Sequence, residues 1–230
     1  MDRREFARCC AGCALFSSLG ARAADVVDYP RTRLVVAPGA ALKAADVPAD
    51  QALVFAYPYA GVPCYLIRLA DRAAKPRPLR SPDEGDYTTP AGVGPGGALV
   101  AFIAICTHQL SYPTPRVSHL RYAPEGSELA GDAARIVCCT HGSVFDPAAG
   151  GERVSGPAPA PLLPVRLQYD AEADTLTATG TVADKFLARF FAAYKGDLIE
   201  RYGAGAYRRP VGDETAVQPL TAYSRRVTTC

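Results

Sequence analysis

The chain is expected to fold as an all-β protein, an antiparallel sandwich or small barrel, with a helical extension towards its C-terminal end. Three observations carry that expectation. Short runs rich in Val, Ile, Leu, Phe and Tyr recur through the first 180 residues and are bounded by Pro, Gly or Asp. Gly and Pro number 20 each while Trp is absent, a composition that suits many short strands and tight turns better than a helical bundle. A helical spacing of apolar residues is found only beyond residue 180. A length of 230 residues allows one domain of ordinary size with an appendage.

In chain order, Asp2 to Arg8 opens with twin arginines, Cys9 to Ala21 is a short apolar stretch, and Ala21-Arg22-Ala23 offers a small-residue cleavage site before Ala24. Together they resemble a bacterial twin-arginine export signal over residues 1–23, which implies a periplasmic protein delivered in the folded state. The apolar run is shorter than the roughly 20 helical residues that span a bilayer, so cleavage is expected, with membrane association through an uncleaved leader as the lesser option. Strand signals follow at Arg33 to Val36, Ala52 to Tyr57, Cys64 to Leu69 and Ala98 to Ile105, and Lys75 to Gly97 reads as an irregular surface loop. Leu163 to Tyr169 and Thr175 to Thr179 flank Asp170 to Asp174 as a hairpin. Val182, Phe186, Leu187, Phe190, Phe191, Tyr194, Leu198, Ile199 and Tyr202 then recur at helical steps, with Gly203 as the stop, and the expected role is a helix packed on its own β domain rather than a docking helix. The expected organisation is a leader over 1–23, a β domain over 24–180 with its cofactor-binding part near 100–162, and an extension over 181–230.

Chemistry concentrates in two segments, Cys106-Thr107-His108 and Cys138-Cys139-Thr140-His141. Each of two loops thus carries one thiolate and one imidazole. That mixed set is the ligand demand of a Rieske [2Fe-2S] centre, in which imidazoles replace thiolates on one iron. Two neutral imidazoles in place of two thiolates remove negative charge and raise the potential from about −400 mV to roughly −150 to +300 mV. A structural zinc ion with two thiolates and two imidazoles is the competing reading, although zinc modules usually present Cys pairs followed by His pairs. Both Cys138 and Cys139 lie within reach of the second loop. Cys64 reads as a buried core thiol, Cys230 as part of a polar tail, and a bridge between the two is conceivable only if the fold brings them together. His119, in the insertion Ser111 to Ile136, reads as an ordinary loop residue, and Arg208-Arg209 and Arg225-Arg226 as solvated pairs.

The surroundings strengthen the first reading. Gly142-Ser143-Val144-Phe145-Asp146 and Gly156-Pro157-Ala158-Pro159 resemble the second cluster box and the proline-rich loop of Rieske iron-sulfur proteins. The resemblance implies one [2Fe-2S] cluster per chain on Cys106, His108, Cys138 and His141, with Cys138 selected over Cys139 by the family spacing. It implies that Ser143 gives a hydrogen bond to a cluster sulfur, and that the proline loop covers a third side. High-potential members join their loops by a disulfide and carry a tyrosine near the second box; here those places hold Ser111, Thr140 and Phe145. One cross-link and one donor fewer imply a potential below the top of the range.

Within that family, Tyr29-Pro30, Val54 to Pro58, Pro63-Cys64-Tyr65 and Val93-Gly94-Pro95, leading through Val100-Ala101-Phe102 to the first box, resemble the small subunit of arsenite oxidase. The likeness covers about residues 1 to 180. It implies an electron-transfer subunit rather than a stand-alone enzyme, serving a larger catalytic subunit, conceivably molybdopterin-containing, and passing electrons to a cytochrome or cupredoxin. Gly142-Ser143 looks more like the cytochrome bc1 type, so a quinol-oxidising complex is the alternative. A catalytic oxygenase would need a second iron site from two further histidines, and of the three histidines in the chain only His119 is left over. A formal net charge of +2 gives no support to nucleic-acid binding.

Overall fold

The computed structural model describes residues 26–70 and 72–230. The leader expected over 1–23, with Cys9, Cys10 and Cys13, lies outside the described residues. The first half of the chain forms β1 (Val27–Ala37), β2 (Ala40–Ala41), β3 (Leu53–Ala56), β4 (Pro63–Arg68), β5 (Pro78–Ser81), β6 (Gly85–Thr88) and β7 (Leu99–Ile103). The second half adds β8 (Leu120–Ala123), β9 (Arg135–Cys138), β10 (Ser143–Asp146), β11 (Glu152–Ser155), β12 (Pro164–Asp170) and β13 (Thr175–Thr181). The extension contributes α1 (Asp184–Ala193), α2 (Lys195–Tyr202), β14 (Glu214–Ala216), β15 (Gln218–Pro219) and α3 (Leu220–Tyr223). Among the described residues no helix is long and apolar enough to cross a membrane.

The main sheet runs β14-β1-β13-β12-β7-β4-β3-β15, with β2 paired to β1. Its two outer strands are neighbours in the chain, separated only by Val217. Glu214–Pro219 is therefore one strap laid across both edges: β14 pairs with β1 in parallel, β15 pairs with β3 antiparallel, and the Val217 N–H donates to the Val35 carbonyl at 2.8 Å. Closing the edges removes unpaired backbone groups that would otherwise invite another strand. A second sheet, β11-β10-β9-β8, lies apart from the first, and β5-β6 is a separate hairpin.

Strands with two apolar faces explain the continuous apolar runs in the sequence. Along β4, Cys64 and Leu66 point into one core and Tyr65 and Ile67 into the other; along β7, Leu99, Ala101 and Ile103 alternate in the same way with Val100 and Phe102. The first core also receives Phe186, Leu187, Phe190, Phe191 and Leu198 from the helices, so the extension packs on its own β domain. The second core joins the main sheet to the smaller one through Leu120, Ile136 and Phe145. Each large side chain fully withdrawn from water contributes about 1.5–3 kcal/mol. The Tyr65 hydroxyl adds a directed link by donating to the Leu120 carbonyl.

Two expectations need correction. Lys75 to Gly97 holds the β5–β6 hairpin, in which Leu79 faces Tyr87 and Tyr87 is buried. Four-residue strands leave too few alternations to stand out among prolines and glycines. The single helix is two, meeting at Tyr194, whose backbone (φ −108°, ψ 21°) ends one turn and starts the next. Gly203, at φ 90°, does terminate the second. The polar tail is bound to the domain, and its strap supplies both edges of the main sheet.

Candidate cluster site

The two Cys/His segments arrive on rigid supports. Cys106 follows β7 after three residues, and its loop is turned back by the Leu110 N–H donating to the Cys106 carbonyl and the Cys106 N–H to the Ser111 carbonyl, with Leu110 itself at φ 59°. Cys138 ends β9, and Ser143 opens β10 directly opposite it in the ladder. The chain between them reverses through Gly142, at φ 75°, whose N–H donates to the Cys138 carbonyl at 2.9 Å.

Those turns bring four donors into two pairs. Cys106 and Cys138 are each 1 % exposed, and their sulfurs share a hydrogen bond. That bond and burial push the Cys106 thiol well up, while Cys138 is pulled down to about 6, chiefly by the same bond and then by the N–H groups of Thr140 and His141 and the Thr140 hydroxyl. Two buried thiolates side by side cannot both stay ionised without compensating positive charge. The imidazoles form the second pair, with His108 and His141 ring centroids 4.8 Å apart and planes at 89°. The Nδ1 atom of His108 is buried and has no hydrogen-bond partner among the described residues. A buried nitrogen left without a partner is costly, and a metal ion is one group that would satisfy it. His141 is exposed at the tip.

Ser143 is buried between the first box and the proline loop. Its oxygen accepts the Ala158 N–H at 3.1 Å and its hydroxyl donates to the Cys106 sulfur. Thr107 clamps the same loop by donating to the Ala160 carbonyl at 2.7 Å. Gly156, at φ 83°, crosses so near the second box that a Cβ there would meet the Gly142 carbonyl oxygen at 2.3 Å. The segment 156–160 is thus a lid fastened to both boxes.

Ser111 and Thr140 stand face to face, their hydroxyl oxygens 3.1 Å apart. A hydrogen bond therefore joins the two loops there. Phe145 is fully buried in the second core.

The cysteine pairing was not legible beforehand. Cys139 is bonded to Cys230, with Cα atoms 5.7 Å apart. Cys64 is a buried free thiol that donates to the Tyr57 carbonyl at 3.1 Å, so a Cys64–Cys230 bridge does not form. With Cys139 in a disulfide, Cys138 is the free thiol of the second box. The tail reaches Cys139 by running beside the insertion: Ser118 donates its N–H to the Arg226 carbonyl, Thr228 returns one to Ser118, and Cys139 donates to the His119 carbonyl at 2.7 Å. His119 is held in turn, its Nδ1 atom 2.9 Å from the Thr228 hydroxyl. The helices reach the other loop, where the Tyr194 hydroxyl donates to the Gln109 carbonyl at 3.3 Å and Tyr112 meets Phe190 and Tyr194 edge-on, both at 5.0 Å. The extension thereby braces both boxes, a role that no periodicity in the sequence announces.

No family model matches the chain. Among solved structures it is similar to the soluble domain of the Rieske protein II from Sulfolobus acidocaldarius, at 29% identity over 67% of this chain and 79% of that one, with a TM-score of 0.48.

Proposed function

We propose that this chain is a one-electron carrier holding a Rieske-type [2Fe-2S] cluster on Cys106 and Cys138 at one iron and His108 and His141 at the other. The observation that carries the reading is the division of the donors into a buried thiol pair and an imidazole pair, with the His108 Nδ1 atom buried and unsatisfied. Among the described residues no three such donors gather around a single point, as a lone tetrahedral ion would ask. Two pairs suit a two-metal core. When bound, the cluster would supply reversible one-electron exchange at moderate potential.

The chain's own residues do the rest. Amide groups of His108, Thr140 and His141 point at the two sulfurs and favour negative charge there, and the Ser143 hydroxyl adds a donor. The lid 156–160 and the second core exclude water from the thiol side. On the exposed side, His108 and His141 would hold the second metal, with the His141 ring open to water.

We further infer the setting: a protein exported by the twin-arginine route, working as the electron-transfer subunit of a periplasmic molybdenum oxidoreductase of the arsenite-oxidase kind, with a cytochrome or cupredoxin as acceptor. The second reading, the Rieske subunit of a quinol-oxidising complex of the bc1 kind, is favoured by Gly142-Ser143 and by an exposed imidazole available to a quinol.

The test begins with purified protein. Two irons and two sulfides per chain, a visible absorption band and a paramagnetic signal after dithionite are expected. Cys138→Ser and His141→Ala should abolish them, while Cys139→Ser should keep them. One zinc per chain with no sulfide would overturn the assignment.

A further inference from the structure

The pairing of the tail with the insertion creates a basic cleft beside the second box. It is open, about 450 Å³ in volume, and lined by Arg116, Val117, His119, Arg225 and Arg226. Its three arginines come from two segments locked together: Arg225 donates its N–H to the Pro115 carbonyl, Ser224 donates its hydroxyl to the Thr114 carbonyl at 2.6 Å, and Ser118 and Val227 form a parallel bridge. All three guanidinium groups belong to exposed residues, no carboxylate lines the cleft, and none of the ion pairs among the described residues includes them. Elsewhere Arg33, Arg77, Arg80, Arg135, Arg166 and Arg189 all have a carboxylate partner. Positive charge in this cleft is thus concentrated and unanswered, although the chain as a whole is nearly neutral at +2.

We propose that this cleft is the docking surface for a protein partner with a carboxylate-rich face. Exposed guanidinium groups attract an anion weakly one by one, because water screens them, so a small ion would be held poorly. Several together steer a broad acidic surface into register and speed its encounter, the behaviour suited to a transient exchange partner. His119, which lines the cleft, accepts the N–H of Cys139 directly after Cys138, and the Cys139–Cys230 bridge anchors the tail that carries Arg225 and Arg226. An acidic partner seated here would lie against the second box. Resting on the function proposed above, that partner is the electron acceptor.

Fluorescence anisotropy of labelled poly-L-glutamate, with the full chain at low ionic strength, tests the surface without any electron-transfer readout. Binding that disappears with added salt is expected, weakened about tenfold in R116Q/R225Q/R226Q. The control R31Q/R80Q/R153Q removes the same charge from exposed positions elsewhere and should stay within twofold of the parent. Equal weakening in both variants, or no binding at all, would overturn the proposal. So would arginine-dependent binding of phosphatidylglycerol vesicles in preference to poly-L-glutamate, or displacement of the polymer by dilute inorganic phosphate. Protein lacking iron and sulfide that still binds poly-L-glutamate would leave the docking surface standing and sink the cofactor assignment; cluster-bearing protein that ignores the polymer would do the reverse.

Discussion

Ser143 shows how one hydroxyl serves two structures at once. It accepts from Ala158, fastening the proline loop, and donates to the Cys106 sulfur. A hydrogen bond to a charged group contributes about 1.5–3 kcal/mol, and one electron's worth of tenfold change in equilibrium is about 59 mV. With the proposed cluster bound, only the part that differs between oxidation states is seen as potential, so Ser143→Ala should lower it by roughly 50 mV. Voltammetry of the variant reads this directly, and an unchanged potential would remove the hydroxyl from the account. The residue type and position were legible in the sequence because the box carries them locally. Its partner Ala158 lies 15 residues on and was not, since only the fold of the lid brings that N–H to the oxygen.

Elements of the extension act as braces. The Cys139–Cys230 bridge closes a loop of 91 residues, and constraining the unfolded chain over that length stabilises by about 4–5 kcal/mol. The double variant Cys139→Ser/Cys230→Ser should therefore unfold at a markedly lower temperature by calorimetry, and reductant should bring the parent to the same midpoint. The strap is held differently. Glu214 accepts the Gly39 N–H at 3.0 Å and pairs with Arg33, and its carboxyl lies below the ordinary value of 4.5, first because of the Gly39 bond and then because of Arg33. A carboxyl depressed by folding supports the fold fully above that ordinary value, and the support is lost as pH falls through the lower folded value. Amide protection at Val217 and Arg33 should accordingly decline below about pH 4.5 in the parent, while Glu214→Gln should show weaker protection with no such decline.

At the scale of the whole molecule, one closed sheet holds two loops still while leaving their tip open. Where high-potential Rieske proteins carry a cross-link, this chain has the Ser111–Thr140 hydrogen bond, and Phe145 offers no hydroxyl to a sulfur. With the proposed cluster bound, the protein should therefore have a potential clearly below the upper limit of about +300 mV. Voltammetry of the cluster-bearing protein checks this, and a value near that limit would contradict it.

Local patterns were enough for much of this. Strand runs such as Cys64–Leu69, the hairpin around Asp170–Asp174, the apolar helix positions and the Cys-x-His and Cys-x-x-His segments are short-range features, written in adjacent residues by side-chain period and ligand type. The division of β4 and β7 between two cores was foreshadowed by their unbroken apolarity, though not the partners on either side. Three matters belonged to tertiary structure alone: the Cys139–Cys230 bridge, the strap that seals β1 to β3, and the meeting of Arg116 with Arg225 and Arg226. Each joins residues far apart in sequence whose proximity depends on how every intervening strand packs. Short-range periodicity cannot encode a distance that only the closed sheet sets.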